Sequence, residues 1–269
     1  MAKLDYAALA AKHISRPADA TRYPKFLIYG RNKKGKSTFA LSGGIENTLV
    51  LDPEDGTDEM RSSNPHVWKI TKWEDLDDAV NFLKYGEHPY KWISVDGLTR
   101  YANMALKYVM RVQEERSLDR QPGMVQLKDY GKAGELMKDF LTRLHNLPMG
   151  VIFTAQERMM EAADSEEDED AGGEGEALFI PDLPKGVRSY VNSIVDVIGR
   201  IYVIKNDEDL YERRLWIGES LKYDTGYRSD FPLPPYLAKP TAPRLTRLIR
   251  TGSPNVPKAA AGKAPARTK

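Results

Sequence analysis

A chain of 269 residues with 41% hydrophobic and 29% charged content is long enough for one sizeable α/β domain and apolar enough to pack a core, which excludes a wholly disordered chain. It has no cysteine, which excludes a disulfide framework, a zinc ribbon and a thiol nucleophile, and His13, His66, His88 and His145 are too scattered for metal-ligand spacing. No run approaches 18 apolar residues, and Lys3, Asp5 and Lys12 stand where a signal peptide needs an apolar stretch, so no membrane is expected and the cytoplasm is the expected compartment.

The net charge of +1 conceals a segregation along the chain. Between Glu157 and Glu176 there are ten acids and one base, which leaves about +10 on the remainder, an excess that attracts polyanions.

In chain order, an alanine-rich helical lead (Tyr6 to Lys12) ends before Pro17, and residues 1–23 are expected to stand outside the core. The apolar run Phe26-Leu27-Ile28-Tyr29 follows Pro24, and similar runs recur at Thr48 to Leu51, Trp92 to Val95 and Val151 to Thr154. Uninterrupted apolar runs of this length predict strands buried on both faces, as in a parallel sheet. Between them, Thr71 to Glu74 reads as a capping box opening a helix over Asp75 to Tyr85, and Ala133 to Leu144 places Leu136, Met137, Phe140, Leu141 and Leu144 on one helical stripe. Strands alternating with helices predict βαβ units. Val195 to Lys205 and Tyr211 to Ile217 flank the turn-rich Asn206 to Asp209, which predicts an antiparallel hairpin at the sheet's edge. The expected organisation is a core over 24–250, a flexible acidic loop over 157–184 inside it, and a disordered basic tail over 251–269.

The chemistry is concentrated in Gly30-Arg31-Asn32-Lys33-Lys34-Gly35-Lys36-Ser37, with Thr38 after it, which matches G-x-x-x-x-G-K-[ST] between a predicted strand and a predicted helix. In such a loop backbone N–H groups curl around phosphates, Lys36 reaches the β- and γ-phosphates of ATP, and the Ser37 hydroxyl ligates Mg²⁺. A second metal-side carboxylate is needed at a neighbouring strand end, and Asp96, closing the run Lys91 to Asp96, supplies it. Asp52 and Glu54 follow the strand ending at Leu51, where a carboxylate can polarise an attacking water; Pro53, Asp55 and Gly56 equally make this a turn.

Taken in order, the Gly30 to Ser37 loop, Leu49-Val-Leu-Asp-Pro-Glu54, Asp96 and Val151-Ile-Phe-Thr-Ala-Gln156 resemble RecA-like proteins over about residues 24–250. The compact ending from Arg228 to Pro235 is similar to phage-encoded single-domain members, the Sak-four group of single-strand annealing proteins, also known as phage AAA-type nucleotide-binding proteins. The resemblance implies a RecA-like α/β core and a DNA-stimulated ATPase working as a homo-oligomer, ring or filament, on single-stranded DNA. Whether a single-strand-binding protein is a further partner stays open. It implies Glu54 as general base, Gln156 as the sensor of nucleotide state, and Arg228, with Lys222 competing, as the cation reaching a neighbour's γ-phosphate. It also implies DNA-contacting loops at about Arg116 to Lys132 and Glu157 to Arg188, with Arg116, Arg120, Lys128, Tyr130, Lys132, Lys185 and Arg188 as contacts. Gly97 after Asp96, where a hydroxyl residue is usual, and the acidic run Asp164 to Asp170 depart from that pattern. Two alternatives stay open: a nucleotide-gated assembly or loader module that responds little to DNA, and a P-loop kinase, for which no arginine-rich lid is evident.

Overall fold

The computed structural model describes residues 22–53, 62–117, 119–160 and 178–256, together with Tyr6, Ala10, His13 and Ile14. Most of the helical lead, Glu54, the acidic run Asp164 to Asp170 and the tail beyond 256 lie outside the described residues.

The apolar runs form strands as expected: β1 (Lys25–Gly30) leads through the glycine loop into α1 (Lys36–Ala40), followed by β2 (Thr48–Asp52) and β3 (His66–Lys69). Next come α2 (Asp75–Tyr85), β4 (Trp92–Val95), α3 (Leu98–Arg116), α4 (Leu127–His145) and β5 (Gly150–Met160). The chain continues through β6 (Leu178–Pro181), α5 (Lys185–Ile194), β7 (Val197–Lys205), β8 (Tyr211–Trp216), β9 (Gly226–Tyr227), β10 (Tyr236–Ala238) and α6 (Ala242–Thr251). The fold is mixed α/β around one mostly parallel sheet in the order β10-β8-β7-β1-β5-β4-β2-β3, with β6 paired to β5 and β9 to β7. The strands from β7 to β3 in that order are parallel to their neighbours, whereas β6, β8, β9 and β10 pair antiparallel. The expected hairpin is β7–β8, with the short β10 beyond it.

Alternation along each strand divides the core in two. Leu27, Tyr29, Val151, Phe153 and Ala155 face a layer containing α2, α3, α4 and α5, while Phe26, Ile28 and Ile152 face Phe39 of α1 and Leu245 and Leu248 of α6. A strand buried on both faces has no polar position to spare, which is why these runs read as continuous apolar sequence.

Helix α2 starts where expected but by other means. Glu74 makes no capping bond; Asp75 Oδ2 instead accepts from the Thr71 N–H (2.8 Å), the Thr71 hydroxyl (2.7 Å) and the Lys72 N–H (3.0 Å), which leaves Glu74 to pair with Arg111. Strand β5 runs past Thr154 to Met160, pairing there with β6, so residues 157–160 and 178–184, expected within the acidic loop, belong instead to this strand pair and the turn into α5.

Candidate functional site

Parallel strands bring their carboxyl ends to one edge of the sheet, where open α/β sheets bind ligands. Gly30 closes β1 and lies level with Gln156 on β5, while β5 is in turn flanked by β4, which ends directly before Asp96. The strand order thus assembles residues that are up to 126 positions apart in the chain into one site.

The loop geometry depends on two glycines. A Cβ on Gly30 would stand 2.5 Å from the Ile201 carbonyl oxygen of β7, and Gly35 adopts a φ of +99° with room for a Cβ taken by the Arg213 guanidinium. Arg213 Nε donates to the Lys34 carbonyl (3.1 Å), pinning the loop to β8. Lys36 Nζ donates to the carbonyls of Gly30 (2.8 Å) and Arg31 (3.1 Å) and to Gln156 Oε1 (3.3 Å). Burial pushes the Lys36 amine below the usual lysine range, opposed by Asp96 and Glu157. Ser37 Oγ donates to Asp96 Oδ2 (3.1 Å), Thr154 Oγ1 donates to Asp96 Oδ1 (2.5 Å), and the Gly97 N–H donates to Thr154 Oγ1 (2.9 Å). A hydroxyl and a carboxylate in contact form an oxygen donor pair that suits Mg²⁺, which takes one or two protein oxygens and completes its octahedron with water and phosphate. Among the described residues no group of three or more His, Cys, Asp or Glu could hold a metal without such help.

Asp52, at the end of β2, is buried beside β4, whose following residue Asp96 donates its N–H to the Leu51 carbonyl (3.2 Å). Glu54, two residues on, lies outside the described residues. The fully buried Tyr101 hydroxyl has no hydrogen-bond partner among the described residues, and burial, with Asp52 and then Asp96, holds its pKa well above the phenol range.

The residue after the glutamine was misplaced by sequence. Glu157 belongs to β5 rather than to a solvated loop: its side chain is 2% exposed and is held by Arg200 Nε (2.6 Å) and by Arg31 of the loop (3.4 Å). The Arg200 guanidinium in turn lies over the rings of Tyr223 (4.5 Å) and Phe179 (5.0 Å). Phosphate loop and β5 are therefore joined twice, through Lys36–Gln156 and Arg31–Glu157.

Thr99, which sequence reasoning passed over, extends this network outward. On the first turn of α3 its hydroxyl accepts from the Gln156 N–H (3.3 Å) and donates to the Asp182 carbonyl (2.8 Å). Directly beyond it is a groove of ≈470 Å³ with Leu106, Met137 and Leu183 among its walls and Tyr130, Arg158 and Lys185 among its lining. Tyr130 comes from the first expected DNA loop and Lys185 from the second; the fold brings them to one groove.

The other expected contacts divide. Arg116 ends α3 and Lys128 lies near the start of α4, both exposed, and Lys132 is exposed with its amine on Gln113 Oε1 (2.8 Å). Arg120 is corrected: its side chain is 3% exposed and forks onto the fully buried Asp129, which also accepts the Gln126 N–H (2.8 Å), so it fastens the α3–α4 loop to the start of α4. The hydrogen bond from Arg120 keeps the Asp129 carboxyl below the usual carboxylate range. Arg188 is likewise buried, with Nη1 3.8 Å from Met160 Sδ. Arg228 is at the opposite, amino edge: its N–H donates to the Asp196 carbonyl (2.8 Å), and Asp196 Oδ2 accepts from the N–H of Lys25, the first residue of β1. A strand of this length separates it from its own phosphate loop by about 17 Å.

A family model for an AAA domain matches residues 22–229. The chain belongs to the AAA domain family. This AAA domain is a P-loop ATPase-type domain, in keeping with its glycine loop, Lys36, Ser37 and Asp96. No curated protein matches it. Solved structures similar to it include a KaiC-like protein from the hyperthermophilic archaeon Pyrococcus horikoshii OT3, at 13% identity over 81% of this chain and 89% of that one (TM-score 0.42). The flagellar accessory protein FlaH from Methanocaldococcus jannaschii matches at 14% identity over 88% and 92% (TM-score 0.36). No helix among the described residues of the AAA domain is long and apolar enough to cross a membrane.

Proposed function

We propose that this AAA domain binds and hydrolyses ATP with Mg²⁺ and couples that hydrolysis to single-stranded DNA, as an oligomeric strand-annealing or strand-pairing recombination protein of phage type. The observation that carries the ATPase part is the convergence of Lys36, Ser37, Asp96 and Gln156 at one sheet edge. In the loop, Lys36 exchanges its carbonyl partners for phosphate oxygens, and Gln156, already bonded to Lys36 Nζ, registers that exchange. Ser37 and Asp96 would hold Mg²⁺, which supplies charge neutralisation on the phosphates. Glu54 keeps the role of general base, and Asp52, two positions before it in sequence, is buried at the end of β2.

The DNA part is supported by the groove behind Thr99. A stacked base suits its apolar walls and Tyr130, while Arg158 and Lys185 suit the backbone phosphates. Arg116, Lys128 and Lys132 extend the basic surface along α3 and α4, with Arg120 and Arg188 left to structural duty. Arg228, at the edge away from its own loop, is kept as the cation offered to a neighbouring copy, and a single-strand-binding protein as a further partner. The experiment is the ATP turnover rate with and without single-stranded DNA. Stimulation is expected; turnover indifferent to DNA would favour a nucleotide-gated assembly or loader module, and phosphate transfer to an acceptor other than water would favour a kinase.

A further inference from the structure

The amino edge of the sheet gathers charge, Arg228 included, away from this chain's own glycine loop. Two adjoining cavities, ≈450 Å³ and ≈320 Å³, share Arg22, Asp196 and Arg228 in their walls; Lys25 and His145 line the first and Arg250 the second. Four cations, Arg22, Lys25, Arg228 and Arg250, thus face two carboxylates, Asp196 and Asp230. They come from distant parts of the chain, and only folding brings them together.

Like charges gathered here repel one another, weakly at the exposed Arg22, Arg228 and Arg250 and more strongly at the buried Lys25, and an anion relieves that repulsion. Asp196 supplies only part of that relief. This carboxylate is 5% exposed and is already engaged by the Arg22 guanidinium and the Lys25 N–H (2.9 Å). Among the described residues the remaining anchors are neutral carbonyls: Lys25 Nζ donates to Leu147 (3.1 Å) and Met149 (2.6 Å), Arg228 to Ser193, and Arg250 to Arg22. These bonds orient the head groups without neutralising them, and a guanidinium has five N–H donors, so each arginine retains others to offer. Burial lowers the Lys25 amine to about 8, and burial followed by Lys25 holds the His145 ring below its usual range. His145 Nδ1 is buried with no partner among the described residues.

We infer that this edge is a second anion site, separate from the glycine loop, that takes phosphate groups through Arg22, Arg228 and Arg250. Phosphate oxygens match guanidinium forks and accept several donors at once, which a single carboxylate cannot do as well. The site is indifferent to whether the groove behind Thr99 binds DNA, because the two lie at opposite edges of the sheet.

Inorganic pyrophosphate is the probe, titrated calorimetrically into the full-length Lys36→Ala protein so that the glycine loop contributes little. Saturable binding is expected, weakened roughly tenfold by Arg228→Gln, the loss of about one charge-assisted hydrogen bond. Arg250→Gln is the second variant, on a different element, and thermal melting checks that each folds. Displacement of pyrophosphate by oligothymidylate assigns the site to a nucleic-acid backbone, and displacement by nucleoside triphosphate but not by oligothymidylate assigns it to a nucleotide's phosphates. Absence of saturable binding, or binding unchanged in both folded arginine variants, would overturn the inference and leave these cations as fasteners of the amino edge.

Discussion

The two edges of the sheet treat charge in opposite ways. At the carboxyl edge three cations share carboxylates, with Lys36 near Asp96 and Glu157 and with Arg31 and Arg200 dividing Glu157 between them, while Arg213 is held by the Lys34 carbonyl. At the amino edge, four cations share two carboxylates and are held mostly by carbonyls. A network in which Lys36 and Arg31 already share carboxylates can pass them to a ligand that brings its own cation, as a magnesium nucleotide does, and shift partners without stranding those charges. An unbalanced one awaits an anion alone.

Substitutions at the carboxyl edge should act on turnover and affinity. The largest effect is expected from Glu54→Gln, where loss of general-base help costs about 10²–10⁴-fold in ATP hydrolysis with binding retained; wild-type turnover would return Glu54 to the role of a turn residue. Lys36→Ala removes charge-assisted bonds to phosphate worth about 3 kcal/mol, roughly a hundredfold in affinity, checked by equilibrium binding of ATP. Unchanged affinity would sever the loop from nucleotide binding.

Between the edges, the α3–α4 loop separates structural from binding arginines. Arg120→Ala leaves Asp129 buried without its fork and should lower the melting temperature, whereas Arg116→Ala, on the exposed end of α3, should leave melting unchanged and weaken DNA binding at low salt. Equal melting of the two variants would contradict that separation. The smallest effect belongs to the amino edge and to pH. Because Lys25 titrates near 8 when folded and near 10.5 when unfolded, the unfolded chain binds more protons between those values, so stability should rise with pH across that window and be flat below it for this group. Denaturant melts of wild type and Lys25→Met across the window test this, and the same slope in both would remove Lys25 as its source.

The sheet was legible because a strand buried on both faces must be apolar throughout; β1, β2, β4 and the first half of β5 announce themselves. The glycine loop was legible because backbone curvature and phosphate contact restrict residue type at fixed spacing. Partnership was not. Glu157 stands at the head of an acidic run, and nothing local distinguishes it from its neighbours until Arg31 and Arg200 arrive from 126 and 43 residues away. Arg120 looked like a DNA contact for the same reason: its carboxylate, nine positions on, serves the helix cap as well. Thr154 did leave a trace, the one hydroxyl in Val151-Ile152-Phe153-Thr154, a polar group that a two-sided strand admits only with a bond to make. Thr99 and the amino-edge cluster left none, since their meaning lies in which elements the fold sets side by side.

On the function proposed above, the end of β5 carries information from the phosphate loop to the groove behind Thr99. Steady-state ATP turnover of Gln156→Ala, measured with and without saturating single-stranded DNA, tests it most directly. Basal turnover close to wild type and no response to DNA are expected, because Lys36 keeps its carbonyl anchors while the side chain joining it to β5 is gone. Stimulation by the wild-type factor would contradict it.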